Sequence, residues 1–539
     1  MSALLTFALA FTATLIFCSR RLARYLRVLQ QDEYNSRRML EWVSRNSAYD
    51  TRGTVVLSVV VLASFFAELK IVSLLISLAG AAALITLAKS EPDPRVSGKI
   101  KLNMTDRAQR IYRTAFFMIA ALSFGVGFLG YWAEHAALTW AVQILVIQSV
   151  PRLLAFAVDV LKPGEDRRQL RYLEEAAAKV RRIDPLIIGI TGSYGKTSVK
   201  NMLGELLQTT KGATFWPKRG VNTLMGNTRI IREDLKPSHE FAVIEMGAYR
   251  RGSIERVCEL TPPKGAIITA IGNMHLERFG SRENIYRAKT ELARAVPEDG
   301  ILVCNGDDSF ARRAAEEFQK KTTILYGFDR TAGKLDVWID EIKVDPEGTS
   351  FKIHWKGKGY AGHTKLLGRP ALSNIMAAFS MACALEADPQ FVLAAISNLA
   401  PVDNRLSVIK TDKIVQLNDA YNSNPIGFAA ALDVLEAFPG QRKILVTPGM
   451  IELGEEQTGA NATAASRAAE VCDLVMLVGT TNREALKEGL KQKKYPDDKV
   501  LVFDDRDEAL NQLRQLQKSG DVILLENDLP DVFEEYIRF

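Results

Sequence analysis

Five apolar stretches fill most of the first 160 residues: 2–18, 54–67, 71–88, 114–132 and 136–158. A helix needs about 20 apolar residues to cross a bilayer, and about 17 suffice. All but 54–67 reach that length, so the pattern predicts a membrane domain over residues 1–160 with about five transmembrane helices, 54–67 being the short one. Residues 2–18 carry no charge and their basic residues follow them (Arg20, Arg21, Arg24, Arg27), the reverse of a cleaved signal peptide. The segments 19–53 and 89–113 hold eight arginines and seven Lys/Arg, whereas the breaks at 68–70 and 133–135 hold one lysine and none. Basic residues collect in cytoplasmic loops. Five spans with the N-terminus outside place every basic segment, and everything after residue 160, in the cytoplasm of a multi-pass inner-membrane protein.

Charge distribution supports that reading over a nucleic-acid partner. Residues 1–182 carry 24 basic against 14 acidic side chains, so the overall excess of +6 lies within the apolar third. Residues 22–45 mix Leu, Tyr and Trp with arginine at near-helical spacing, as an amphipathic helix on the inner leaflet would. Gln143, Gln148, Pro151 and Arg152 interrupt the last apolar stretch and either pack between helices or face a lipid-linked substrate. The five cysteines are far apart without a CxxC pair, which points to reduced thiols.

A charged linker helix over 161–183 leads into Leu186-Ile187-Ile188-Gly189-Ile190-Thr191, a short apolar strand, then Gly192-Ser193-Tyr194-Gly195-Lys196-Thr197-Ser198 and a helical pattern. Strand, glycine-rich turn and helix start are the setting of a phosphate loop, in which backbone N–H groups and the helix N-terminus converge on phosphate oxygens. Lys196 reaches the β- and γ-phosphates in such a loop, and the Thr197 hydroxyl suits Mg²⁺. The strict GxxxxGK[ST] spacing is not met, because Ile190 holds the first glycine position. Two more buried strands are expected at 241–247 and 265–271. They end beside Glu245 and before His275, and open parallel sheets bind ligands beyond the carboxyl ends of their strands. A carboxylate suits Mg²⁺ directly; an imidazole is a less usual ligand for so hard an ion. Alternating residues over 334–367 read as antiparallel strands with a turn at 347–350, and five strands alternate with helical patterns after residue 401 as in a doubly wound sheet.

Ten segments occur in an order that carries a family resemblance: TGSYGKTS, RGVNTLMGN (219–227), VIEMGAYRRGSI (243–254), GNMHLERFGS (272–281), AKTEL (288–292), CNGDD (304–308), LLGRPALSNIMAAFSMA (366–382), PVDNRL (401–406), NDAYNSNP (418–425) and PGMIELG (448–454). The chain thereby resembles the Mur ligase superfamily, and within it the D-alanyl-D-alanine-adding, MurF-like branch. The resemblance implies a central ATP-binding domain over 184–400, a C-terminal Rossmann-like domain over 401–539, and an ATP-dependent, ADP-forming ligase that makes an amide through an acyl phosphate in peptidoglycan synthesis. Its partners would be a carboxylate-bearing peptide or lipid-linked precursor and an amino-acid or dipeptide amine, with membrane lipid around the helices and no nucleic acid.

By the same resemblance Thr191, Gly192, Ser193, Gly195, Lys196, Thr197 and Ser198 bind ATP. Thr197, Glu245 and His275 bind Mg²⁺, and Lys289 matches the lysine that the family carbamylates to help hold the metal. Asn305 matches an adenine-binding asparagine, Asp419 a ribose contact, and Arg405 an arginine that reaches the nucleotide when the last domain closes. Lys196, Lys289, His275 and Arg405 are the implied catalytic set, with Asn222, Tyr421, Asn422 and Asn424 near the substrates.

The chain departs from the family in four places. The membrane helices stand where a UDP-binding domain is usual. Asn461 replaces a histidine, Asn418 replaces one of two tandem aspartates, and Leu525-Glu526-Asn527-Asp528-Leu529 replaces a basic Lys-Gly-Ser-Arg-like segment. Two other readings stay open on the sequence: a polyglutamate-capsule type of amide ligase on the same fold, and a non-catalytic membrane scaffold that retains nucleotide binding.

Overall fold

Apolar runs form helices wherever the backbone must satisfy its own hydrogen bonds, and the N-terminal part of the chain is built this way, with Pro151 and Pro163 carried inside its last helix. The structure, a computed structural model, describes residues 2–32, 34–96, 101–218, 220–272, 279–331, 333–345, 347–400, 406–420, 423–451 and 453–528. It divides into two units, one on Met1–Arg168 and one on Gln169–Leu529.

Among the described residues four helices are long and apolar enough to cross a membrane: Ser2–Gln31, Lys70–Ser90, Asp106–Trp132 and Ala136–Ile183. The stretch around 54–67 forms the shorter helix Arg52–Phe65. Its 14 residues rise only ~21 Å, against the ~30 Å of a bilayer core. It nevertheless exposes Val55, Val59, Leu62 and Phe65, an apolar face. The 22–45 region is divided. The first helix continues to Gln31, and a second, Ser36–Arg45, starts where the Asn35 side chain accepts from Arg38 N. The charged 161–183 region continues the last apolar helix without a break.

Several polar side chains of this unit are enclosed between its helices. Gln143 is fully buried and accepts from Ser123 Oγ at 2.7 Å, and Gln148 Nε2 donates to Thr54 Oγ1 at 2.6 Å, so both serve packing. Arg21, which reads in the sequence as a loop arginine, is also buried. Its guanidinium lies 2.7 Å from Asp50 and 2.8 Å from Glu91, and Arg24 approaches Glu91 at 3.4 Å. Charges enclosed this way persist only when paired.

Among its described residues the second unit holds two sheets. The first contains β1 (Leu186–Thr191), β2 (Thr214–Phe215), β3 (Phe241–Glu245), β4 (Gly265–Ile268), β5 (Ile301–Asn305), β6 (Thr322–Gly327), β7 (Val337–Asp345), β8 (Gly348–Trp355) and β9 (Lys358–Thr364). Their order is β2-β3-β1-β4-β5-β6-β7-β8-β9, parallel as far as β7 and antiparallel from β7 to β9. Ile188 and Ile190 are fully buried under the helices Lys196–Thr210 and Gly368–Ala384, each burial contributing about 1.5–3 kcal/mol. The opposite face is covered by Ser253–Leu260, Arg282–Lys289, Ser309–Glu317 and residues 173–180 of the long helix.

The second sheet contains β10 (Ser407–Lys410), β11 (Val415–Asp419), β12 (Arg442–Thr447), β13 (Leu474–Val478), β14 (Val500–Phe503) and β15 (Asp521–Glu526), in the order β10-β11-β15-β12-β13-β14. Five of these strands are parallel, as the alternation of strands and helices requires; β10 is an antiparallel edge that the hydrophobic pattern does not announce. All five cysteines are free and buried.

Candidate active site

Strand β1 lies between β3 and β4, with β1 and β3 paired Ile190 to Glu245 and β1 and β4 paired Thr191 to Ile268. The chain leaves β1 toward β2 on one side and reaches β4 on the other, so a crevice opens at its carboxyl end. The phosphate loop occupies that crevice. Thr191 Oγ1 donates to Met246 O at 2.9 Å, Ser193 N donates to Ala270 O at 2.7 Å, and Ser193 Oγ and Gly272 exchange hydrogen bonds near 3 Å. Gly195 has φ 78°, and a side chain there would meet Asn374 Oδ1 at 2.3 Å. Only glycine keeps both that backbone and that approach.

The helix Lys196–Thr210 starts immediately after Gly195, so the first-turn N–H groups that a helix leaves without intrahelical partners lie at the crevice. Lys196 Nζ donates to Gly192 O at 2.7 Å and Ser193 O at 3.2 Å, folded along the loop it would share with a phosphate. Ser193, Gly195, Lys196, Thr197 and Ser198 line a cavity of about 520 Å³, together with Asn222, Glu245, Asp419, Asn424 and Glu526. One cavity therefore joins the carboxyl ends of β1 and β3 in the first sheet to those of β11 and β15 in the second.

Glu245 is buried at the end of β3, where Asn222 Nδ2 donates to its Oε1 at 3.2 Å and Tyr249 OH donates to Asn222 Oδ1 at 3.0 Å. Its Oε2 faces Lys200 Nζ at 3.8 Å and has no hydrogen-bond partner among the described residues. Lys289 is buried at the end of Arg282–Lys289, where burial and the nearby Lys196 ammonium hold its pKa well below the usual lysine value. Asn305 ends β5 and accepts from Asp307 N at 3.0 Å; it is not among the residues lining the cavity. Asp419 ends β11 and accepts from Leu406 N at 3.0 Å, and Asn424 caps Pro425–Ala437 through Gly427 N. His275, Arg405, Tyr421 and Asn422 lie outside the described residues.

The residue types fit a nucleotide and a divalent ion. Among the described residues no three His, Cys, Asp or Glu side chains gather into a ready metal site. A Mg²⁺ carried on phosphates needs only one or two protein carboxylates, and Glu245 Oε2 is a buried oxygen of that kind.

Two features escape the sequence reading, and a third, Glu526, is marked there only as part of a departure from the family's basic segment. Lys200 sits one helical turn after Lys196 and is fully buried, and its only signal is a cation on an otherwise apolar helix face. Glu291 accepts from Gly252, Ile254 and Glu255 N–H groups, tying the segment after β3 to Glu291–Ala295. Glu526 ends β15 fully buried, in register with Asp419, and accepts from Ser423 Oγ at 2.5 Å. Asn461 is structural. Its side-chain amide donates to Met450 O and accepts from Met450 N, which holds the turn after β12.

Residues 190–382 match the family model of the Mur ligase middle domain, and residues 404–526 that of the Mur ligase, glutamate ligase domain. The chain is 30% identical over 371 residues to the UDP-N-acetylmuramoyl-tripeptide–D-alanyl-D-alanine ligase of Bacillus subtilis (strain 168), covering 67% of this chain and 77% of that protein. It is 32% identical over 309 residues to the enzyme of the same name from Escherichia coli (strain K12), covering 57% and 67%. Among solved structures, MurF from Acinetobacter baumannii is similar with a TM-score of 0.59 at 26% identity, covering 67% of this chain and 77% of that one. MurF ligase from Thermotoga maritima in complex with ADP is similar with a TM-score of 0.59 at 25% identity, covering 68% and 82%.

Proposed function

The chain belongs to the Mur ligase family of ATP-dependent, ADP-forming ligases acting on peptidoglycan precursors, with the helical region 1–183 in place of the usual UDP-binding domain, and from that premise we propose that it joins a D-Ala-D-Ala-type amine to a peptide carboxylate at the inner face of the membrane. The observation that carries this reading is the single cavity running from the phosphate loop and Glu245 to Asp419, Asn424 and Glu526.

In the proposed reaction a carboxylate oxygen of the peptide attacks the γ-phosphorus of ATP, and ADP leaves. The amine nitrogen then attacks the carbonyl carbon of the acyl phosphate. The carbon–oxygen bond to the phosphoryl group breaks, phosphate departs, and the nitrogen gives up a proton as the amide forms. The difficulty is electrostatic, because two anions must be held together while charge moves between them. Backbone N–H groups of residues 192–197 and Lys196 hold the β- and γ-phosphates, while Thr197 and Glu245 would hold Mg²⁺, with His275 assigned there by its family motif. Bound Mg²⁺ would supply charge neutralisation on the transferring phosphoryl group. Lys289, buried and held below its usual pKa, suits a neutral amine that takes up CO₂ to become an anionic carbamate. Asn305 and Asp419 are assigned to adenine and ribose, Arg405 to the phosphates on closure, and Asn222, Tyr421, Asn422 and Asn424 to the substrates.

The four long apolar helices and the basic segments support anchoring in the inner membrane, with the N-terminus outside and the catalytic domains in the cytoplasm. The test is the full chain in detergent with ATP, Mg²⁺, UDP-N-acetylmuramoyl-tripeptide and D-Ala-D-Ala. The expected products are ADP, phosphate and the pentapeptide, and a lipid-linked tripeptide run in parallel reports which carrier is preferred. Amide formation with glutamate but not with D-Ala-D-Ala overturns the reading in favour of a polyglutamate-type ligase.

A further inference from the structure

The two carboxylate oxygens of Glu245 have unlike surroundings. Oε1 accepts from Asn222 Nδ2 at 3.2 Å, whereas Oε2 has no hydrogen-bond partner among the described residues. The main chain there is held as well, since Asn227 Nδ2 donates to the Glu245 backbone oxygen at 3.1 Å. Asn222 is fixed in turn by the segment that follows β3. Gly247 N donates to its backbone oxygen at 2.8 Å, and Tyr249 OH donates to its Oδ1 at 3.0 Å. That segment is tied at its far end too, where Gly252 N donates to Glu291 Oε1 at 2.6 Å. An ionised carboxylate only accepts, so the Asn222 amide must show it Nδ2, and the Tyr249 hydroxyl then meets Oδ1 as a donor. The three side chains form one directed chain, from Tyr249 through Asn222 to Glu245.

We propose that Tyr249 is a positioning residue for the metal: by fixing the Asn222 amide it reserves Glu245 Oε1, leaves Oε2 as the one oxygen open to the ion, and so favours Mg²⁺ over Ca²⁺. The inference rests on the reading of Glu245 as a metal carboxylate and adds Tyr249 to it. Mg²⁺ demands a near-ideal octahedron, whereas Ca²⁺ accepts looser geometry and takes carboxylates through one oxygen or both. Turning both Glu245 oxygens to an ion costs the hydrogen bond from Asn222. Without the Tyr249 hydroxyl the amide is held at one end only and yields Oε1 more easily. Partners of this outer kind are worth about 10–100-fold in metal affinity. Asn222 has a second N–H group, which remains for a substrate in the cavity it lines.

The test is Mn²⁺ binding to the full chain in detergent with saturating ADP, read by electron paramagnetic resonance, with Mg²⁺ and Ca²⁺ as competitors. Tyr249→Phe is expected to weaken Mn²⁺ and Mg²⁺ about tenfold and Ca²⁺ about threefold or less, with ADP affinity in excess EDTA unchanged. Asn222→Leu is expected to weaken Mg²⁺ at least as much, and adding Tyr249→Phe to it should change nothing further. Unchanged Mg²⁺ affinity in Tyr249→Phe overturns the proposal, as do equal losses for Mg²⁺ and Ca²⁺ or a loss of metal-free ADP binding. Losses that add in the double variant overturn it as well, because Tyr249 then acts by another route. Glu245→Gln separates the two levels. If it leaves Mg²⁺ binding intact, the metal assignment of Glu245 fails and the inference with it. If it weakens Mg²⁺ while Tyr249→Phe does not, the carboxylate keeps its assignment and only the positioning role falls.

Discussion

Lys200 Nζ lies 3.8 Å from Glu245 Oε2, with both side chains buried at the joint between the phosphate-loop helix and β3. The pair places a fixed cation behind the carboxylate assigned to the metal. Removing one partner of a buried ion pair costs about 3–5 kcal/mol, because the other is left uncompensated. Lys200→Met is therefore expected to lower the melting temperature of the nucleotide-free protein. Mg²⁺ with ADP is expected to restore more of the lost stability than it adds to the unsubstituted chain, since the ion supplies the missing positive charge. Differential scanning fluorimetry with and without Mg²⁺–ADP reads this directly; equal ligand shifts in both proteins contradict it.

Lys289 carries a pH dependence of definite sign. Burial and Lys196 lower its folded-state pKa well below the ordinary 10.5, so between those two values the unfolded chain binds more protons than the folded one. Stability from this group then rises with pH across that window and falls as pH drops toward the lowered value. Lys289→Met has no proton to exclude. It is expected to flatten the rise and to melt higher than the unsubstituted protein near neutral pH, while losing about 10–100-fold in ligase activity if the carbamate helps hold the metal. Incubation with ¹³C-bicarbonate should give a carbamate carbon signal by NMR that Lys289→Met lacks.

The parts of this site legible in the sequence are those whose chemistry is written over a few consecutive residues. Leu186–Thr191 followed by Gly192, Gly195 and Lys196 states strand, turn and helix start together, and Glu245 follows a run of buried apolar residues. Lys200 is different. Its place beside Glu245 exists only once β3 pairs with β1, and helical spacing alone does not say which side of Lys196–Thr210 is covered. Glu526 reaches Asp419 because the last strand inserts between β11 and β12, a crossover that no local pattern specifies. The same holds in the first unit, where Arg21 has the composition of a surface loop and finds Asp50 and Glu91 only through the packing of later segments.

That Arg21 cluster makes a stability prediction of its own. Arg21→Leu leaves the Asp50 and Glu91 carboxylates enclosed without their closest cation and is expected to cost about 3–5 kcal/mol. Arg24 approaches Glu91 less closely and is more exposed, so Arg24→Leu should cost distinctly less. Thermal unfolding of the full chain in detergent, followed by far-UV circular dichroism, orders the two. Replacing Arg21, Asp50 and Glu91 together by Leu, Asn and Gln should recover part of the loss, since the penalty of Arg21→Leu lies in the charges it strands.

Glu526 titrates in the opposite sense to Lys289. Its folded-state pKa is raised well above the ordinary 4.5, by burial first and Asp419 second, so above 4.5 the folded chain holds a proton that the unfolded chain has lost. Its contribution to stability is present at low pH and declines as pH rises through the raised value. Glu526→Gln cannot ionise, so its melting temperature should match that of the unsubstituted protein near pH 4 and exceed it near pH 8. Melting curves at the two pH values separate this from a general loosening of the C-terminal sheet, which would lower the variant's melting temperature at both.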